Sequence, residues 1–222
     1  FKMRGATNGI LQLTQNERDR GVVTHSSGNF AQALSLAAKS LNVNAYIVMP
    51  ENAPQVKKDA VISYGGIITE CESTIAAREA TARDIIDDKG ATFIHPSNDI
   101  DVIYGNATAA LELLEDHPKL DYIVGPIGGG GLLAGTALSA FYFGTNCKTI
   151  GGEPYEVDDA YRSLQSGNIE TNVTANTMAD GLRTHLGDLN FPIIQQHVQA
   201  IIRVDEQDIL DALTLIYQRL KI

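Results

Sequence analysis

Four consecutive glycines, Gly128-Gly129-Gly130-Gly131, stand between a short apolar run, Tyr122-Ile123-Val124-Gly125-Pro126-Ile127, and a second apolar run over 132–143. The first run reads as a buried strand and the second as a helix, so the glycines occupy a strand-to-helix junction of the kind that α/β folds are built from. Glycines at such a junction leave bare N–H groups at a helix N-terminus, where unpaired amides and the helix dipole both favour an anion. A flexible turn is the simpler account. Yet a turn needs one such residue, and each further glycine adds conformational entropy that folding must remove. The run therefore predicts a phosphate-bearing ligand.

Which phosphate compound it takes is less constrained. Residues 125–130 have the glycine spacing of a Walker loop, but Gly131-Leu132 follow where lysine and a hydroxyl residue are required. A dinucleotide fingerprint fits better: Gly129-x-Gly131-x-x-Ala134 is followed by Glu153 at the end of the next strand-like run. On these residues alone, nicotinamide or flavin binding stays open.

Strand-like and helix-like runs alternate along nearly the whole chain. Strands are predicted over 22–24, 45–49, 66–69, 92–94, 122–124, 148–151 and 200–204. Helices are predicted over 6–18, 29–41, 54–63, 75–87, 102–115, 132–143, 158–164, 192–197 and 206–220. This order implies an α/β fold of parallel twisted sheets flanked by helices, with ligands at the carboxyl ends of the strands. Residues 21–97 contain four strand–helix units and are expected to form a small domain. Residues 1–20 and 98–222 would form a large one.

The net charge of −10 argues against nucleic acid and against anionic membrane surfaces as partners. Residues 122–147 carry no charge, but their seven glycines and Pro126 make strand, loop and helix a better reading than a membrane span. Cys71 and Cys147 have no motif spacing and read as free thiols of a reducing, cytoplasmic compartment. The sequons at Asn106 and Asn172 read as chance matches. No signal-peptide pattern opens the chain. It begins at Phe1 and stops straight after a helix, so it is expected to be a piece of a longer protein, with N- and C-terminal parts missing.

Three clusters could carry chemistry. Ser26-Ser27-Gly28-Asn29 joins a strand to a helix; serine and asparagine there serve equally well as helix caps or as donors to an anion. Lys2 stands beside Phe1 at the start of a helix, where a cation opposes the dipole, and a desolvated lysine can form a Schiff base with an aldehyde. Glu153, Glu156, Asp158 and Asp159 lie within seven residues. They suit an acidic first helical turn and a divalent cation such as Mg²⁺ or Ca²⁺ equally. Arg78 lies in a helix rich in both charges and reads as solvated. The five histidines show no metal spacing.

Taken in order, Phe1-Lys2-Met3-Arg4-Gly5-Ala6, Ser26-Ser27-Gly28-Asn29 and Gly128-Gly129-Gly130-Gly131-Leu132 resemble fold type II pyridoxal-phosphate enzymes, in the branch of serine racemase and threonine (serine) dehydratase. Tyr46 to Pro50, Glu153-Pro154 and Ala179-Asp180-Gly181 extend the likeness over essentially the whole chain. The resemblance implies a tryptophan-synthase-β-like fold and pyridoxal 5'-phosphate (PLP) bound to Lys2, which acts as base on one face. It implies Ser27 as acid or base on the other face, Asn29 on the cofactor's ring oxygen and Phe1 against its ring. Gly128, Gly129, Gly130, Gly131 and the Leu132 amide would hold the phosphate, while His25, Ser26 and Arg78 would meet the substrate. Glu153, the Val157 carbonyl and Asp159 match a divalent-cation site.

The same resemblance implies an amino-acid substrate (serine, threonine or hydroxyaspartate) and a homodimer or homotetramer. Loss of water would yield a 2-oxo acid and ammonia. Proton return from Ser27 would yield the opposite enantiomer, and hydroxyaspartate dehydration is a third outcome. One departure stands out: Phe30 occupies a position where the family often has histidine. The residue that meets the pyridine nitrogen falls beyond Ile222 in this comparison.

Overall fold

The computed structural model describes residues 1–26 and 28–221; Ser27 and Ile222 lie outside the described residues. Contacts divide the chain into two compact units, Phe1–Ala109 and Ala110–Ile222.

The first unit is built on a four-stranded parallel sheet: β1 (Val22–His25), β2 (Ala45–Pro50), β3 (Ile67–Cys71) and β4 (Thr92–Phe93), in the order β3-β2-β1-β4. Alternate residues of β1 face opposite ways because side chains alternate across a strand. Val22 joins one apolar core with Ile47, Met49, Leu34 and Phe30, while Val23 joins another with Val48, Cys71 and Ala82. Helix α3 (Asn29–Ser40) lies in the first core and α5 (Ile75–Lys89) supplies the second. Both faces are thus covered, as a parallel sheet requires. The chain runs outward from β1 to β2 to β3 and then returns to place β4 on the other side of β1. This reversal opens a crevice at the carboxyl ends of β1 and β4, the usual ligand position in such sheets.

The single helix predicted over 6–18 is two helices, α1 (Lys2–Leu11) and α2 (Gln15–Arg20). The physical reason is a capping box. The Thr14 hydroxyl accepts from the Glu17 amide at 3.4 Å, and the Glu17 carboxylate accepts from the Thr14 amide at 2.7 Å. This box starts a new helix and so ends the old one. Gly21, at φ +91°, then ends α2.

Helix α1 packs against α3 and crosses α6 (Ile100–Asp116) at very close range. The Asn8 amide donates to the Asp101 carbonyl at 2.8 Å, and the Arg4 guanidinium donates to the Thr108 hydroxyl at 2.9 Å. Asn106, one of the sequon asparagines, is wholly buried in α6 near Gly5.

The second unit carries β5 (Tyr122–Pro126), β6 (Lys148–Pro154) and β7 (Val198–Val204), parallel and in sequence order. Helix α7 (Gly131–Phe143) follows β5 directly and packs on β5, β6 and α9 (Asn190–His197). A 3-10 turn (Tyr155–Val157) and α8 (Asp159–Ser166) follow β6; α4 (Gln55–Ser63) and α10 (Glu206–Leu220) complete the order. Among the described residues, no helix is long and apolar enough to cross a membrane.

The α1–α6 crossing sets where Lys2 starts its helix, and it leaves no room at Gly105. A Cβ there would lie 2.5 Å from the Arg4 carbonyl oxygen and 2.7 Å from the Gly5 Cα, both main-chain atoms that cannot swing aside. Gly105→Ala should destabilise the protein by roughly 2 kcal/mol or more, as overpacking does. Urea denaturation measures this, and a loss below about 0.5 kcal/mol, the range of an ordinary surface substitution, would contradict the crossing.

Candidate active site

In the first unit the candidate residues gather where the strand order reverses. Lys2 opens α1, and its Nζ donates to the Pro96 carbonyl at 2.8 Å, just past β4. The ammonium also lies 5.1 Å from the Phe1 ring centre and 5.6 Å from that of Phe30. Aromatic faces favour a cation. Burial outweighs them and lowers the Lys2 pKa from 10.5 to about 8. Phe30 is 2% exposed and forms part of the core, so its ring borders the amine instead of facing solvent. The phenylalanine at position 30 thus presents an apolar ring to the lysine.

His25 ends β1, with its ring 5.2 Å from Phe93 and 5.9 Å from His95. Burial lowers its pKa. The His95 Nδ1 accepts from the Ser97 and Asn98 amides at 3.1 and 2.8 Å, which makes it the unprotonated nitrogen of a neutral ring. Sequence reasoning passed over His95, and only its two amide partners reveal it.

The capping account of the 26–29 segment fares poorly. Gly28 is the N-cap of α3, no side chain among the described residues caps that helix, and the Ser26 hydroxyl accepts from the Gly28 amide at 3.4 Å. Asn29 is exposed at the first helical position. Ser27 lies outside the described residues. Arg78, read from sequence as solvated, is half-buried near His25, and its Nε is shielded from solvent without a hydrogen-bond partner among the described residues. A guanidinium left in that state suits a carboxylate ligand.

In the second unit the glycine run has the shape of a cradle. Gly130 takes φ +80° as N-cap of α7 with no side-chain cap, so Gly131, Leu132 and the next amide begin a helix whose first N–H groups have no intrahelical partner. Packing also demands glycine at two places. A Cβ at Gly128 would lie 2.7 Å from the Leu182 Cα, and one at Gly130 would lie 2.6 Å from the Asn190 Oδ1.

The acidic segment separates into two kinds of carboxylate. Asp158 is used up by arginine: Arg162 Nε donates to one oxygen at 2.7 Å and Arg203 Nη1 to the other at 2.8 Å. Burial pushes its pKa up, but the two guanidiniums outweigh this and hold it below the usual value. Arg203 is itself stacked between Tyr155 and Tyr161, at 4.3 and 4.1 Å, and so fastens both flanks of the segment to β7. Glu153 and Asp159 are wholly buried, and no cationic side chain among the described residues is bonded to them. Glu153 accepts from the Ala160 and Tyr161 amides at 3.1 and 2.8 Å, and burial raises its pKa to about 8 despite those bonds. Asp159 accepts from the Asn172 side chain at 2.5 Å and the Leu186 amide at 3.3 Å, and burial raises its pKa too.

Among the described residues, no three His, Cys, Asp or Glu side chains converge as metal ligands. Glu153 and Asp159 offer carboxylate oxygens of the chemical kind a hard cation takes, although here each of those oxygens accepts from an N–H donor. The same geometry removes the dinucleotide reading. Glu153 is buried with both oxygens engaged by amides and cannot bond a ribose.

The amine of Lys2 can be checked directly. Competitive labelling with acetic anhydride, followed by mass spectrometry, should show Lys2 becoming reactive with a midpoint near pH 8 in the folded protein, shifting to about 10.4 in denaturant. A midpoint near 10 in the folded protein would contradict the burial described above.

Comparison with known proteins agrees with this geometry. The chain is 46% identical to serine racemase of Dictyostelium discoideum over 224 residues, covering all of this chain and 69% of that protein. It is 44% identical to the beta-hydroxyaspartate dehydratase of Paracoccus denitrificans, covering all of this chain and 70% of that one. The structure of maize serine racemase superposes with a TM-score of 0.97 at 43% identity, covering 100% of this chain and 67% of the maize chain. The chain thus spans about two thirds of the length of these relatives. The family profile described as pyridoxal-phosphate dependent enzyme matches residues 1–222. The two α/β units with parallel sheets are those of a fold type II enzyme, and the chain belongs to the pyridoxal-phosphate dependent enzyme family.

Proposed function

We propose that this chain forms the catalytic part of a PLP-dependent enzyme that removes water from serine or threonine to give a 2-oxo acid and ammonia, and that also racemises serine. The observation that carries this reading is the Lys2 amine: it is held at the reversal of a parallel sheet, and its acidity is brought near neutrality by burial. A lysine with a pKa near 8 is uncharged often enough at physiological pH to take a proton from carbon and returns it readily.

Lys2 would hold the cofactor's aldehyde end, with Phe1 against its ring and Asn29 on the ring oxygen. The 128–131 run and the Leu132 amide would hold its phosphate. When bound, the cofactor stabilises negative charge at the substrate Cα. The residues of the chain do the rest. The Arg78 Nε, shielded and without a partner among the described residues, would bind the substrate carboxylate beside His25 and Ser26. Lys2 would remove the Cα proton. Departure of the β-hydroxyl then gives elimination, whereas proton delivery from Ser27 on the opposite face gives the other enantiomer. The likeness to a hydroxyaspartate dehydratase supports hydroxyaspartate as a third substrate of the same constellation.

Glu153, the Val157 carbonyl and Asp159 would hold Mg²⁺ or a similar cation, whose charge would keep both buried carboxylates ionised. Residues 21–97 would act as the small domain against 1–20 and 98–222. A homodimer or homotetramer in a reducing, cytoplasmic setting completes the proposal; Cys71 and Cys147 are both free thiols.

Two experiments test it. Lys2→Ala should abolish 2-oxo acid release and serine racemisation together, each by at least about a thousandfold, because base and cofactor anchor are one residue; appreciable turnover of either product in that variant would refute the assignment. Separately, Mg²⁺ at a hundred times its Kd should raise the stability of the wild-type protein by about 2.7 kcal/mol, and Glu153→Gln should lose that response. Thermal unfolding with and without chelator reads the difference, and equal responses in the two proteins would remove Glu153 from the cation site.

A further inference from the structure

Beneath the glycine run lies a residue that no phosphate motif names. Asn190 begins α9, is wholly buried, and bonds with both ends of its amide. Its Nδ2 donates to the Gly129 carbonyl at 2.9 Å, and its Oδ1 accepts from the Gly187 amide at 3.1 Å. It also stands against Gly130, where a Cβ would meet its Oδ1 at 2.6 Å. The Gly129 carbonyl and the Gly130 N–H belong to one peptide unit, and in a trans peptide they point in opposite directions. No cis peptide occurs among the described residues. Holding the carbonyl on the α9 side therefore turns the Gly130 N–H away from α9. A glycine at φ +80° has little side-chain hindrance to prevent that peptide from rotating, so something outside the run must set its direction.

We propose that Asn190 is a positioning residue for phosphate recognition: by fixing the Gly129 carbonyl, it orients the Gly130 N–H, with the first amides of α7, toward the phosphate of the cofactor. The inference rests on the reading that residues 128–132 hold that phosphate. It goes further by assigning the orientation of the cradle to a side chain 61 residues away, through the hydrogen bond between Asn190 and Gly129.

The test compares two ligands that differ only in the phosphate. PLP and pyridoxal are titrated into the wild-type apoprotein and into Asn190→Leu, which is near the same size, uncharged and unable to bond either backbone group. Asn190→Leu should weaken PLP by about tenfold, the worth of one well-made hydrogen bond, while pyridoxal changes by less than about twofold. The rise in melting temperature that inorganic phosphate gives the wild type should shrink in parallel. Asn190→Ala, whose space admits a bridging water, should show the same selective loss at smaller size, and it decides the question if the leucine variant does not fold. Equal losses for PLP and pyridoxal would reduce Asn190 to a purely structural role and overturn the proposal, as would unchanged PLP affinity. If the wild type binds pyridoxal as tightly as PLP, the phosphate reading of the glycine run fails first, and this inference fails with it.

Discussion

Parallel pairing around β1 is the constraint on which the first unit depends. The Thr92 amide bonds the Gly21 carbonyl at 3.0 Å and the Ile94 amide bonds that of Val23 at 2.9 Å, which places β4 beside β1 on the side away from β2. Without that reversal, Pro96 and His95 would not end beside His25 and the start of α1. The crevice follows from connectivity, because helices feeding successive strands leave a gap only where the winding direction changes. Both faces of the sheet are buried, so a ligand meets β1 at its end, and the crevice lies at the carboxyl one.

Electrostatics then sort chemically similar residues into different tasks. Lys2 and Arg203 are both cations near aromatic rings, but Arg203 has the Asp158 carboxylate, whereas Lys2 donates to the Pro96 carbonyl. Arginine stays charged and fastens a loop, while lysine yields its proton near neutrality and becomes available for chemistry. Asp158 and Asp159 are neighbours in sequence with opposite fates. The first is neutralised by two guanidiniums, and the second is buried on an amide side chain with its pKa pushed upward. Desolvation is the leading cause behind Lys2, Glu153 and Asp159, and at Asp159 it outweighs the opposing pull of nearby His185.

Much of this arrangement was legible in advance. Every predicted strand forms, because the alternation of short apolar runs with longer periodic ones leaves little choice of element. The break inside 6–18 was also written in the residues, as Thr14-x-x-Glu17, although the uninterrupted helical period masks it. Other features had no local signal. Arg78 looks like any surface arginine of a charged helix, and only the packing of α5 on β1 shields its Nε. His95 is held by the amides of Ser97 and Asn98, two and three residues on, but main-chain donors leave no mark in the residue types. The glycine run announced itself, but Gly128 and Gly130 also answer to Leu182 and Asn190, contacts that cross more than fifty residues.

The sequence by itself determined the alternation of elements, the apolar faces that make parallel sheets the stable solution, and the ordered set of Phe1-Lys2, Ser26 to Asn29 and the glycine run. These are local patterns, and local patterns report what a segment can be. Tertiary structure decided which of four neighbouring carboxylates remain without a counter-ion, which way the Gly129 peptide faces, and how far the Lys2 amine is removed from water. Those outcomes depend on burial and on partners distant in the chain. Free energies of desolvation and of single hydrogen bonds are set by where a group ends up, and one residue type can therefore serve as clamp, ligand or base.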